Sequence, residues 1–171
     1  AILGFVEMKP HKGARVRNPT REELTQAIEV RAELEALGGR LAAARRTEQC
    51  LADLEELAAA MDEAADRGDA HDQALNNTRF HARIIAAAHN PTLSRQWSML
   101  EPFSRTYVTA SVPGVDLHWL SRRHEPILAA IRDQDPELAA DLSRKHAAEA
   151  AVLLEGLDRV RDGSAERVQL R

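Results

Sequence analysis

The sequence predicts an all-α protein, an antiparallel bundle of about six helices preceded by a short β-hairpin, on three observations. Only 4% of the residues are aromatic, and Ala, Leu, Glu and Arg, which favour helices, are abundant. From Thr20 onward, apolar residues recur at intervals of three and four. Pro and Gly then divide this pattern into segments that short loops can join.

Charge and cysteine content exclude several classes of protein. The net charge of −4 does not indicate a chain that binds nucleic acid by bulk electrostatics. Cys50 has no second cysteine to pair with, which favours a reducing compartment, so we expect a cytoplasmic protein. No apolar run approaches the ~18 residues that a membrane span needs, and no membrane partner is expected.

Residues 1–18 differ from the rest of the chain. Short apolar segments on either side of Pro10 and Gly13 predict a strand, a turn and a second strand. An isolated hairpin is marginally stable in water, so we expect it to pack against something outside this chain. Its basic residues include Lys9, Lys12 and Arg15.

The predicted helices have recognisable start and stop signals. Thr20 and Glu23 form a capping box, and Asp135 followed by Pro136 begins the last helix. A glycine pair at residues 38–39 inside the first helix indicates close packing or a bend. With Thr47 as the cap of the second helix, the predicted ranges are 21–45, 48–66, 70–89, 92–111, 116–133 and 136–158, and a polar tail follows over 159–171.

Three histidines lie on apolar helix faces. In the third predicted helix, Asn77 and His81 share the face that carries Ile84 and Ile85. His124 and His146 lie in the apolar stripes of the fifth and sixth predicted helices. Those stripes contain Leu120, Ile127, Leu128 and Ile131 in the fifth helix, and Leu138, Leu142, Ala150, Leu153 and Leu157 in the sixth.

Three buried imidazoles point to a metal ion. A buried ring nitrogen without a partner costs roughly 1–3 kcal/mol, and three imidazoles cannot easily satisfy one another. A shared divalent ion supplies a partner for one nitrogen of each, so His81, His124 and His146 are the expected ligands. Asn77 adds an amide oxygen. Zn²⁺ is favoured, with Ni, Mn and Fe as alternatives, and the other ring nitrogens need acceptors that the sequence does not identify.

This ligand set is neutral, which leaves the +2 charge of the ion uncompensated. We therefore expect a small carboxylate to bind by chelation, with Arg31 and Arg105 as candidate effector-binding residues. Two alternatives remain open, a metalloenzyme that uses the same three histidines and a helical interaction module with ordinary core histidines. No metalloprotease, phosphate-loop or nucleophile-elbow motif is present, so no catalytic residue is assigned and no enzyme is expected.

Several short segments occur in a specific order over about residues 20–155. They are Glu29-Val30-Arg31, Leu34-Glu35, Arg40-Leu41-Ala42-Ala43, Phe80-His81, Ala88-His89-Asn90-Pro91-Thr92-Leu93, His124-Glu125-Pro126-Ile127-Leu128-Ala129-Ala130-Ile131 and Arg144-Lys145-His146. In this order and spacing they resemble the FadR-type C-terminal domain (FCD) of GntR-superfamily transcriptional regulators.

The resemblance implies a metal- and effector-binding, dimerisation domain over residues 19–158. It implies a divalent metal at Asn77, His81, His124 and His146, with Asn where Asp is usual, which keeps an oxygen ligand but removes a charge. Residues 1–18 look like the C-terminal wing of a truncated winged-helix domain. The implied DNA-binding residues of this wing are Lys9, Lys12 and Arg15. The implied partners are a small carboxylate effector, operator DNA bound through the mostly missing N-terminal domain, and a second copy in a homodimer.

Overall fold

The computed structural model of the chain describes residues 6–9, 13–16, 20–100 and 114–161. Near the start, strands β1 (Val6–Lys9) and β2 (Gly13–Val16) pair in antiparallel register. They occupy the segment for which the sequence predicts a strand, a turn and a second strand.

Helices joined by short turns make up most of the rest of the described chain. The capping box predicted at Thr20 is present, because its hydroxyl accepts from the Glu23 N–H at 3.2 Å and the Glu23 carboxylate accepts from the Thr20 N–H at 2.7 Å. Within the described ranges the helices are α1 (Arg21–Arg45), α2 (Glu48–Asp66), α3 (Ala70–Ala87), α4 (Pro91–Ser98), α5 (Leu117–Arg122), α6 (Glu125–Arg132) and α7 (Pro136–Arg161).

The prediction of a single fifth helix over 116–133 is wrong. Pro126 has no N–H to donate to the Arg122 carbonyl, and its ring disfavours a helical turn before it. The chain therefore ends α5 at Arg122 and starts α6 at Glu125. His124 lies between them at the N-cap of α6, and its N–H donates to the Ser121 carbonyl at 3.1 Å.

The predicted fourth helix is also shorter than expected. It ends at Ser98, and the predicted continuation over 101–111 lies outside the described residues. The last helix, in contrast, continues to Arg161 rather than ending near residue 158.

The long helices α1 and α7 pack closely in antiparallel directions. Ion pairs join them at two levels, Arg40 with Glu137 at 2.6 Å and Arg144 with Glu33 at 2.8 Å. Between these pairs a Cβ on Gly39 would lie 2.6 Å from Ser143 Oγ. The close packing predicted at the glycine pair is therefore confirmed, and it brings the middle of α7 against α1.

The buried face of α7 differs from the predicted stripe. Small residues face α1 where the backbones approach closely, and Ala139 and Ser143 are buried there. Leu138 is 48% exposed, so its assignment to the apolar stripe around His146 is wrong. The main core contains residues from α1, α2, α3, α6 and α7, with Leu54, Met61, Phe80, Ile127, Leu128 and Ile131 among its largest side chains.

Within the part of the chain that the structure describes, no helix is both long enough and apolar enough to cross a bilayer.

Candidate metal centre

The core contains a cluster of three imidazoles. His81 comes from α3, His124 from the N-cap of α6 and His146 from α7. One ring nitrogen of each lies within 4.8 Å of the other two. His81 and His124 are almost completely buried and His146 is partly buried. The fold thus brings together the three histidines that the sequence placed on separate apolar faces.

The ring contacts show which nitrogens are available as ligands. Nε2 of His81 lies 3.2 Å from Nε2 of His146. Nδ1 of His124 donates to the Ser121 carbonyl at 3.0 Å, which leaves its Nε2 with no hydrogen-bond partner among the described residues. The Ser121 carbonyl is therefore one of the acceptors that the sequence could not identify. It selects the His124 tautomer that has a lone pair on Nε2.

The three imidazoles are neutral at pH 7. Burial lowers the pKa of His81 to about 4 and the pKa of His124 to about 3. Burial also holds the pKa of His146 well below its ordinary value, and the neighbouring imidazoles add to the effect. Since the neutral ring is the form that ligates a metal, the site needs no further deprotonation to act as a donor set.

The donor set fits a divalent transition ion. Imidazole nitrogens suit Zn, Ni, Fe and Cu, and a buried ring nitrogen without a partner gains one when an ion binds. Asn77 is buried on α3 one turn before His81, so the two side chains leave the same face of the helix. His81, His124 and His146, with the amide oxygen of Asn77, are the residues that would hold the ion.

A carboxylate that the sequence analysis did not single out contacts this cluster. Glu35 on α1 is 2% exposed, and its Oε2 lies 3.5 Å from Nδ1 of His81. Its Oε1 accepts hydrogen bonds from Nε of Arg31 at 2.6 Å and from Nε1 of Trp97 at 3.0 Å. Burial raises the pKa of Glu35, but the Arg31 charge and these hydrogen bonds outweigh burial and lower it overall. The signal in the sequence was an Arg and a Glu four residues apart on the buried face of α1.

The arginines around the site have different surroundings. Arg31, a predicted effector contact, is 4% exposed and paired with Glu35, and its effector role stays a prediction. Arg105, the other predicted contact, lies outside the described residues. Arg123, which the sequence analysis did not mention, donates to the His146 carbonyl at 3.2 Å and lies 4.5 Å from the centre of the Trp119 ring.

The structure does not test the predicted DNA-binding residues. Lys9 ends β1 and Arg15 lies in β2, whereas Lys12 is outside the described residues. Their contact with DNA stays a prediction.

Comparison with known proteins identifies the family. The profile of the FCD domain matches residues 26–149. The chain belongs to the FCD domain family. It is also 34% identical over 151 residues to a Paenarthrobacter nicotinovorans protein named "Probable D-xylose utilization operon transcriptional repressor". That match covers 86% of this FCD chain and 65% of the relative, so the chain spans just under two thirds of the relative's length.

Solved structures with the same fold include E. coli McbR/YncC, with a TM-score of 0.79 and 22% identity over 90% of this chain and 78% of that one. A GntR-family regulator from Pseudomonas syringae pv. tomato has a TM-score of 0.66 and 20% identity over 94% of this chain and 68% of that one. The predicted helical bundle is confirmed. This likeness does not support the assignment of the hairpin to a winged-helix remnant, which stays a prediction.

Proposed function

We propose that this FCD chain is the sensing part of a GntR-type transcriptional regulator, and that a divalent metal in its core recruits a small organic acid. The observation that carries the proposal is the meeting of His81, His124 and His146 at one buried point. The relative named as a repressor and the regulators among the solved structures support the regulatory part.

The residues around the proposed site carry no net charge, so the ion would supply the charge that attracts the acid. The three imidazoles and the Asn77 amide are neutral, and the buried Glu35 carboxylate is paired with Arg31. When bound, the ion supplies positive charge and open coordination positions for an anion. Because the surrounding donors have no net charge, a carboxylate is favoured over a neutral ligand such as a sugar. Arg31 and Arg105 are the proposed second contacts of the acid.

Operator DNA is the proposed macromolecular partner. In this proposal the hairpin β1–β2 is the wing of a winged-helix domain, and Lys9, Lys12 and Arg15 contact the DNA backbone or minor groove. The effector acts by favouring one relative pose of two DNA-binding heads in a dimer, whose symmetry matches a palindromic operator. Because the wing does not read bases on its own, this chain alone is expected to bind DNA weakly.

A homodimer is proposed as the assembly. Val30 and Leu37, seven residues apart on one face of α1, are 55% and 38% exposed. Such an apolar stripe on a long helix is typical of a helix that packs against a partner. Sedimentation equilibrium should give a dimer at micromolar concentration, and a monomer would contradict this part of the proposal.

Metal analysis and thermal shifts test the proposed function. Protein purified without an affinity tag should contain close to one transition ion per chain, and a chelator should lower its melting temperature. Carboxylates, D-xylose and the corresponding sugar acid are then screened with and without chelator. At a hundredfold excess over its dissociation constant, a bound acid should stabilise the loaded form by about 2.7 kcal/mol. A chain of this size then melts about 5–10 °C higher.

Controls separate the outcomes. His81→Gln should abolish both the metal content and the acid-induced shift, whereas His71→Gln, the same change at an exposed histidine, should preserve both. Protein without stoichiometric metal, or metal-loaded protein that no acid stabilises, would overturn the proposal. Turnover of the stabilising acid would instead favour the metalloenzyme hypothesis.

A further inference from the structure

Glu35 is held in one orientation by its neighbours. Two donors from different helices, Nε of Arg31 on α1 and Nε1 of Trp97 on α4, both point at its Oε1. The other oxygen, Oε2, lies 3.5 Å from Nδ1 of His81 and makes no hydrogen bond with the described residues. The carboxylate therefore presents an acceptor to one nitrogen of one imidazole of the cluster.

A buried carboxylate at this position favours one of the two positions for the proton of His81. An ionised carboxylate can only accept, so the imidazole must donate from Nδ1 to satisfy it. A neutral ring with its proton on Nδ1 has its lone pair on Nε2, which is the atom that faces His146. Carboxylate–histidine pairs of this kind orient metal-ligating rings and increase their basicity.

The same carboxylate changes the charge around the site. With Asn at position 77, that ligand position contributes no negative charge to the cluster. The Arg31 guanidinium lies in the same buried region, and Glu35 offsets its charge at a distance of 2.6 Å. Without Glu35, an unpaired cation would face the position of a second, divalent cation and repel it.

We propose that Glu35 is a positioning residue that fixes His81 in its ligating tautomer and offsets the charge of Arg31 beside the metal site. This inference rests on the proposed metal site. It gives a role to the buried Arg31–Glu35–Trp97 network, which otherwise places an ion pair in the core without a function.

Substitution by glutamine reverses the polarity of the contact with His81. In the double variant described below, the glutamine oxygen stays with Nε1 of Trp97, which can only donate, because a flipped amide would place its NH2 against that donor. Its NH2 then faces Nδ1 of His81, which must accept, and the proton moves to Nε2, the ligand atom. Because Glu35→Gln alone leaves Arg31 buried and unpaired, the test variant is the neutral pair Arg31→Gln/Glu35→Gln. Glu33→Gln, the same change at an exposed glutamate on α1, is the matched control.

Two measurements test the inference. Nitrogen-15 NMR of the imidazoles in chelator-treated protein reports the His81 tautomer, and Co²⁺ and Zn²⁺ competition titrations report metal affinity. We expect the proton on Nδ1 in the wild type and in Glu33→Gln, and on Nε2 in the double variant. Metal affinity of the double variant should fall by about 10- to 100-fold relative to Glu33→Gln.

Several results would overturn the inference. A wild-type His81 with its proton on Nε2 would exclude the contact with Glu35. A double variant that binds metal within twofold of Glu33→Gln would exclude the effect on the site. A wild type that binds neither metal would overturn the proposed function and the ligand role of His81, whereas the NMR result would still decide whether Glu35 sets the tautomer.

Discussion

Acid should destabilise the chelator-treated protein as the pH falls below about 6.5. Burial lowers the pKa of His81 to about 4 and of His124 to about 3, and the pKa of His146 is also well below its ordinary value. In the unfolded chain each imidazole has a pKa near 6.5. Between pH 6.5 and about 4 the unfolded chain therefore binds more protons than the folded one. The contribution of the neutral imidazoles to stability is complete above pH 6.5 and is lost as the pH falls below it.

The size of the effect follows from these values. At pH 5.5 an unfolded imidazole is one pH unit below its pKa, whereas the folded one is still neutral. His81 and His124 then each cost a little over 1 kcal/mol of unfolding free energy relative to pH 7.5, about 3 kcal/mol together, and His146 adds a cost in the same direction. That is a substantial part of the 5–15 kcal/mol typical of a folded domain, and it lowers the melting temperature by about 6–12 °C.

Circular-dichroism melts in excess chelator, from pH 7.5 to pH 5.5, measure this loss. Ordinary carboxylates titrate below this range and contribute little to the slope. Equal melting temperatures at pH 7.5 and pH 5.5 would refute the reasoning, because they would mean that the three imidazoles are not held neutral by the fold.

Three further substitutions test the packing and the ligand set. Gly39→Ala places a Cβ 2.7 Å from the backbone oxygen of Ala139 and should cost about 1–3 kcal/mol in urea unfolding. At Gly38 the atom nearest to an added Cβ is the flexible end of the Ile85 side chain. Gly38→Ala should therefore be close to neutral, because the higher helix propensity of Ala, about 1 kcal/mol, offsets the contact. A larger loss of stability in Gly38→Ala than in Gly39→Ala would contradict the α1–α7 packing. Asn77→Asp adds a charged ligand and should tighten metal binding about tenfold while weakening carboxylate binding, both by calorimetry. Unchanged metal affinity would show that residue 77 is not a ligand.

Local sequence signals predicted most of the fold. They missed the break at Pro126, because a proline can both start a helix and end the one before it. The Thr20–Glu23 capping box needs only four consecutive residues, so it was visible in the sequence and is present. Pro126 is acceptable in the first turn of one helix and incompatible with the continuation of another. The apolar stripe runs through it without interruption, since His124, Ile127 and Leu128 are all buried, so periodicity alone did not reveal the break.

In the candidate site, too, some features follow from the local sequence and others only from tertiary contacts. Histidines on apolar faces are a property of the sequence, and their burial followed from helical periodicity. The acceptors that set their tautomers depend on tertiary contacts. Glu35 meets Trp97 at a separation of 62 residues, and no spacing rule connects them. The predicted burial of Leu138 was wrong for a related reason. The close approach of α7 to Gly39 leaves room only for small side chains on the face of α7 that contacts α1.

The neutrality of the imidazoles also fixes how the folded site should respond to pH. In most metal sites protons compete with the ion for the ligands, so binding releases protons. Here the lone pairs are already unprotonated at pH 6, since the pKa of His81 is about 4 and that of His124 about 3. Metal binding to the folded chain should therefore release few imidazole protons, and titration calorimetry at pH 6 in two buffers of different ionisation enthalpy should give nearly the same heat. Release of one proton or more per ion would mean that an imidazole is charged in the folded protein. In that case the loss of stability in acid should be correspondingly smaller, so the two measurements check the same physical assumption from opposite directions.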